Sequence, residues 1–493
     1  MIASIDRRRL LTAGVFGAAG LATLHWPVAA MATTALPLAD RLARYAEELS
    51  YADLDADTLE AVRIHLVDTF GCALGALDEP VVKAAFAVAS AQTGGTATLI
   101  GSARRTSAEL AAFANGAAIR FSDLNDGYAG KEIGHPSDLI SACLAVAQVE
   151  RRSIRDFIVS VVLAYEIECR LFDGAAISPR GWDHPTYTPV AAALAAGKLM
   201  RLPVAQLTQS VNLALISNVA MNQTRVQVIS AWKGLADAGA TRNGIFAATL
   251  ARAGITGPSP IFEGDAGFEK MVAGTPMQVD TATFGRRGVR FRLLDCLIKP
   301  FPSQGHTLTA VAAAIELSRE IPDKTLIRTV SVETSKPGYL ITGKERDKWA
   351  PTTRETADHS MPYVVARALL DGEISSASYS LEKLSTPDVM ALMAKISVVE
   401  DPAMTAKLPK QLANRVTVTL ASGKTLTREI DDLPGSPQRP LTRADAEAKF
   451  WRAAGPAISR PQGARLLARL WTLETAPDVD SVMAAAQRDG RRD

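Results

Sequence analysis

Between two apolar helical patterns, the stretch from Ala114 to Asp138 gathers Asp123, Asn125, Asp126, Tyr128, Lys131, Glu132 and His135 in one polar connection. An imidazole that follows carboxylates, with helix-opening amides at Pro136-Ser137-Asp138, suits proton transfer beside a bound anion. Asp123-Leu-Asn-Asp126 also has the look of a Mg²⁺ motif, yet two carboxylates without a nearby partner cluster favour a metal-free reading. Four more polar openings precede apolar helices. They are Gly181-Trp-Asp-His184-Pro-Thr-Tyr-Thr188, Ser230-Ala-Trp-Lys233, Leu297-Ile-Lys299-Pro-Phe-Pro-Ser-Gln-Gly-His306 and Arg354 to Tyr363. Each alone fits simple capping or a solvated side chain. Together they place His135, His184, His306 and His359 at helix entries beside Pro, Ser or Thr, while His65 falls mid-helix and reads as structural.

The elements that must position these groups follow from periodicity. From Pro37 to about Gly254 the pattern predicts helix after helix, at about 107–121, 137–150, 153–172, 186–200, 203–219 and 237–253. Asp57 and Glu60 have capping-box spacing at the start of another helix. Thr96–Ile100 reads as a short strand or an irregular connection. After Gly257-Pro-Ser-Pro260 the character changes. Val289–Leu294 and Ile327–Glu333 alternate as strands do, and Val416–Leu420 and Thr425–Ile430 flank a hairpin turn. Helices at about 304–319 and 360–371 lie among them. Pro434 to Pro440 leads back to helices at 442–453 and 460–472, with a tail past Asp478 that reads as frayed. The expected fold is mainly α with an α+β insertion. Its parts are a helical domain over 36–265 and 438–478 and a smaller α+β lid domain over 270–432.

The chain has 493 residues, 47% of them hydrophobic and 22% charged, with a formal net charge of +2. Its excess charge lies in a segment that reads as a removable signal over 1–32. Arg7-Arg-Arg-Leu-Leu11 precedes a short apolar run and small residues at Val28–Ala32, the pattern of a twin-arginine signal for export of a folded protein. Without that segment, acidic and basic residues balance, which argues against a nucleic-acid partner. Periplasmic localisation and no stable membrane association after signal cleavage are the expectations. Cys72, Cys143, Cys169 and Cys296 lack any C-x-x-C spacing and read as buried free thiols.

In this order and spacing, Asp123-Leu-Asn-Asp126 with Gly134-His-Pro-Ser-Asp138, Trp182-Asp-His184, Trp232-Lys233, Lys299-Pro-Phe-Pro302 and Asp358-His-Ser360 with Tyr363 resemble the MmgE/PrpD family. The likeness runs from about Pro37 to Trp471. It implies a homodimer acting on a di- or tricarboxylate, with no cofactor and no metal. It also implies a cleft with Asp123, His135, His184 and Tyr363 as catalytic candidates and Lys233, Lys299, Asn125 and Ser137 as substrate-binding candidates. The expected reaction is dehydration of a 2-methylcitrate-like hydroxy acid. Epimerisation or decarboxylation of a related acid, or binding without catalysis, are the alternatives. Gly127 stands where a threonine is common in that family.

Overall fold

The computed structural model describes residues 36–489, and the signal segment expected over 1–32 lies outside them. Helix Leu38–Glu48 opens after Pro37 and buries Leu38, Leu42, Tyr45 and Ala46 on one face. The next helix, Ala56–Ala76, starts earlier than the Asp57 spacing predicts. Its cap is Asp55, which holds extended backbone angles and accepts from the Thr58 amide at 2.8 Å, whereas Asp57 is already helical. Helices Ala108–Arg120, Ile140–Val149, Ile154–Gly174, Thr188–Leu199, Val204–Ile216 and Ala236–Arg252 follow where periodicity places them. Thr96–Ile100 contributes only a two-residue strand, Ala97–Thr98, paired with Arg105–Thr106.

The chain's C-terminal helices pack into this same first core. Gly71 and Gly75, one turn apart, let helix Arg443–Ala454 approach closely. A Cβ on Gly75 would stand 2.4 Å from the Ala453 carbonyl oxygen, and one on Gly71 would stand 3.2 Å from the Phe450 Cα. Lys449 enters the same interface, pairs with buried Asp68 and donates to the Leu124 carbonyl at 2.8 Å. The tail past Asp478 is helical over Val479–Ala485 rather than frayed, because Val479, Val482 and Met483 are buried in that core.

A second hydrophobic core forms between residues 310 and 418. Its sheet has the strand order Ile396–Glu400, Ile327–Thr334, Asn414–Leu420, Thr425–Ile430. The first pair is parallel, with Val332 opposite Val398; the others are antiparallel, with Val332 opposite Val416. Val330, Val332, Val416 and Val418 are buried against helices Leu308–Glu320 and Met361–Asp371. The protein is thus mainly helical with a small mixed sheet.

Val289–Leu294 is not a strand. Its only β contact is a bridge between Arg286 and Val289, followed by a 3₁₀ turn over Arg292–Asp295. The buried carboxylate of Glu166 accepts from the Gly285 and Arg292 amides at 2.8 and 2.7 Å, so a side chain takes the place of a neighbouring strand. Among the described residues, no helix is long and apolar enough to cross a membrane.

Candidate active site

Helix Ala108–Arg120 ends in a turn that continues to Asp123, whose φ of 52° is left-handed, a conformation Asp tolerates better than most residues. That turn points the Asp123 carboxylate back at Arg120. Gly127 then pairs with Leu297 in both directions, its amide to the Leu297 carbonyl at 2.8 Å and the Leu297 amide to its own carbonyl at 2.7 Å. This ladder brings Lys299 beside the loop, where Lys299 Nζ lies 2.8 Å from Asp123 Oδ1. The loop is fixed from behind by Asp126, which accepts from the Ser137 amide and from the Tyr165 hydroxyl and lies 2.9 Å from His65 Nδ1.

Arg120, Asp123, Gly127, His135, Asp183, His184, Arg225, Lys299, His306 and His359 line one cleft of about 910 Å³. Three of these imidazoles are held in different states. His135 Nδ1 donates to the Asp126 carbonyl at 2.7 Å, so its Nε2 carries the lone pair and accepts from Arg120 Nη2 at 2.9 Å. Burial and the Arg120 charge keep it neutral, well below the usual histidine range. His184 lies 3.1 Å from Asp183 by Nδ1 and 3.1 Å from Asp237 by Nε2. Burial opposes its charge, but Asp237 and then Asp183 outweigh it and raise the pKa to about 9, so His184 is an imidazolium at neutral pH.

His359 is the third case. Its Nδ1 donates to Asp358 Oδ1 at 2.5 Å, and its Nε2 has no hydrogen-bond partner among the described residues. Burial and the nearby Lys233 charge, against the pull of Asp358, bring its pKa down to about 4. A neutral imidazole oriented by a carboxylate, with an unengaged lone pair in a cleft, has the chemistry of a general base.

Asp123 stays ionised. Burial pushes its pKa up, yet Arg120, Lys233 and Lys299 hold the carboxyl well below its ordinary value. Burial brings Lys299 down to about 8. Burial and then Asp237 push Asp138 well above the carboxylate range, so it is neutral beside Arg120.

Asp123, Asp358 and His359 each place a ligand-type atom within 4.8 Å of the others, the spacing of a cation site. An ammonium already serves those carboxylates: Lys233 Nζ is 3.2 Å from Asp123 Oδ2 and 2.9 Å from Asp358 Oδ2. A metal there would compete with a built-in, fully buried cation.

Of the eight residues singled out from sequence, the structure brings Asp123, His135, His184 and Lys299 to the cleft wall. Lys233, Asn125 and Ser137 are fully buried behind it. Asn125 donates to Ser137 Oγ and Asp138 Oδ1, and Lys233 serves the two aspartates, so these three support the wall rather than face a ligand. Tyr363 is not brought to the cleft. It is buried in the second core, where its hydroxyl donates to the Ser378 carbonyl at 2.6 Å. Sequence reasoning missed Arg120 and Arg225 as cleft charges, and Asp237 as the buried carboxylate behind His184. The Asp358-His359 pair was visible as a motif, and its adjacency to the Lys299 segment arises from the Gln304 amide bonding the Asp358 carbonyl at 3.0 Å.

A helical scaffold and a small mixed sheet surround a buried, charge-paired cleft. The chain belongs to the MmgE/PrpD family: residues 40–279 match the MmgE/PrpD N-terminal domain and residues 301–473 the MmgE/PrpD C-terminal domain. It is similar to a cis-aconitate decarboxylase-like protein of Aspergillus oryzae, 26% identical over 90% of this chain and 96% of that protein. It is also similar to the 2-methylcitrate dehydratase of Cupriavidus necator, 28% identical over 76% of this chain and 81% of that protein. The 2-methylcitrate dehydratase of Salmonella typhimurium is likewise 28% identical, over 75% and 80%.

Proposed function

We propose that the protein is a lyase that removes water from a polycarboxylic hydroxy acid of the 2-methylcitrate type. The observation that carries this reading is the pairing of a free, Asp358-oriented base, His359, with an imidazolium acid, His184, in one cation-lined cleft. His359 Nε2 takes the proton from the carbon beside a substrate carboxylate. The C–H electron pair becomes the alkene π bond as the C–O bond breaks, and His184 gives its proton to the departing hydroxyl, which leaves as water. Lys299 and Arg120 face the carboxylate on which charge develops, a role that fixed cations fill without reorganisation. No metal enters any step.

The test is incubation with 2-methylcitrate, citrate and their dehydrated forms, followed by alkene absorbance and by deuterium exchange. Alkene formation with loss of water supports the reading. Exchange without alkene would replace it with epimerisation. A second reading, decarboxylation, is favoured by the decarboxylase-like relative that spans nearly the whole chain; carbon dioxide release separates it.

We also propose export of the protein to the periplasm, on the arginine run and apolar segment of residues 7–24, which precede the family match. A homodimer is supported by the exposed apolar side chains of Met221, Val228 and Trp232, all in the segment that carries Arg225 and Lys233. The second core is read as a lid that brings His359 to the first.

A further inference from the structure

Two cleft histidines take no part in the proposed proton transfers: His135, which aims Arg120, and His306. The latter is 2% exposed, its Nε2 is buried without a partner, and its ring makes no hydrogen bond among the described residues. The backbone around it is fully engaged. Its amide donates to Gln304 Oε1 at 2.7 Å, and its carbonyl accepts from Asn414 Nδ2 at 2.8 Å. The imidazole is therefore held in place while its Nε2 goes unsatisfied, an arrangement that costs stability.

Around it the apolar side chains of Leu340, Ile341 and Leu412 stand among the hydroxyls of Thr334, Ser335 and Thr309. His306 packs against Gly338, where a Cβ would lie 3.4 Å from His306 Cβ, and that glycine belongs to the short helix Lys336–Thr342. Leu340 and Ile341 of that helix line the same cleft, yet are 42% and 37% exposed. Leu412 completes the wall through the bond from Thr309 Oγ1 to its carbonyl at 2.6 Å. Burial alone brings the His306 pKa down to about 4, with no charged group contributing. This end of the cleft, where Lys336 and Lys410 are exposed, thus lacks buried charges of the kind that Arg120, Asp123, Lys299 and His184 supply. The whole cleft, about 910 Å³, lies near the top of the range of roughly 300–1,000 Å³ seen for drug-sized ligands, more than a seven-carbon acid fills.

We propose that His306, with Leu340, Ile341 and Leu412, is a specificity site for an uncharged aliphatic arm of the substrate that carries one hydrogen-bonding oxygen. A neutral imidazole nitrogen donates or accepts according to tautomer, and a hydroxyl answers either. A carboxylate in that arm would be desolvated without a buried cation to meet it. The inference rests on the polycarboxylate reading of the cleft and specifies what that acid bears.

The test measures dissociation constants by calorimetry on the full chain with four probes: succinate, butylsuccinate, (4-hydroxybutyl)succinate and (4-carboxybutyl)succinate. Butylsuccinate is expected to bind at least tenfold tighter than succinate, and the hydroxybutyl probe roughly five- to tenfold tighter again. His306→Leu should abolish the second gain and keep the first, and Leu340→Asp, at an exposed position, should abolish the first. Equal binding of all four probes, or tightest binding by the carboxybutyl probe, overturns the inference and leaves the carboxylate reading standing. If none of the four binds, the carboxylate reading falls and the inference with it.

Discussion

Arg120 donates to Nε2 of His135 at 2.9 Å, and this bond decides what His135 can do. Its other nitrogen donates to the Asp126 carbonyl, so the ring has no lone pair left for a substrate proton. His135 aims Arg120, and Arg120 in turn meets Asp123 and lies 3.5 Å from Asp237, the carboxylate that charges His184. His359 has a lone pair to offer and a carboxylate, Asp358, that orients it.

Replacing each histidine by glutamine separates the two roles. His359→Gln should lower kcat by about 10²–10⁴-fold with little change in Tm, since it removes a proton acceptor from the cleft. His135→Gln keeps an oxygen that accepts from Arg120 and should cost less than tenfold, whereas His135→Leu leaves the guanidinium short of a partner and should lower both kcat and Tm. Steady-state kinetics alongside thermal melts checks both. Equal losses for the two glutamine variants would return His135 to the base role.

The pH profile follows from the three shifted groups. His359 must be neutral, which holds above about 4. Lys299 and His184 must be charged, which holds below about 8 and about 9. A plot of kcat/KM against pH should therefore rise on an acid limb near 4, stay flat through neutrality and fall from about 8 upward.

Stability should respond separately. His184 is raised from 6.5 to about 9, so its contribution is complete below about 6.5 and is lost as pH rises through 9. His306 and His359 are lowered from 6.5 to about 4, so the unfolded chain binds more protons in that interval and stability falls as pH drops through it. Melting temperature measured across pH 4–10 should be highest near neutrality. His184→Asn should remove the loss between about 6.5 and 9 and leave the opposing rise that Lys299, lowered from 10.5 to about 8, adds above 8.

Tyr363→Phe removes a hydroxyl that donates to the Ser378 carbonyl inside the second core. The expected cost is about 1 kcal/mol in a denaturant titration, with kcat unchanged. A large kinetic loss at unchanged stability would instead bring Tyr363 to the chemistry.

At Gly127 a Cβ would meet the Gly134 carbonyl at 3.5 Å, His135 Nδ1 at 3.8 Å and Lys299 Cε at 4.0 Å, all ordinary contacts. Gly127→Thr should fold normally. The added side chain would narrow the cleft beside His135 and Lys299, so KM should change more than Tm; a melt and a Michaelis curve show which moves.

The helical run, the strands at Ile327–Thr334, Asn414–Leu420 and Thr425–Ile430 and the loop that carries Asp123 and His135 are legible in the sequence, because these rest on local periodicity and on short-range turn chemistry, whereas the parallel edge strand Ile396–Glu400 is not. The sequence also marked most of the polar helix entries that meet at the cleft. It misplaced Val289–Leu294 as a strand, since the Glu166 carboxylate that satisfies that backbone is over a hundred residues away. The tertiary structure alone decided which imidazole is neutral, which is charged and which has a free lone pair. Those states depend on burial and on partners such as Arg120 for His135, Asp237 for His184 and Lys233 for Asp358, and no spacing in the chain encodes those distances. The same reason took Tyr363 out of the cleft: its motif is local, but the direction of its hydroxyl is set by the core that packs around it.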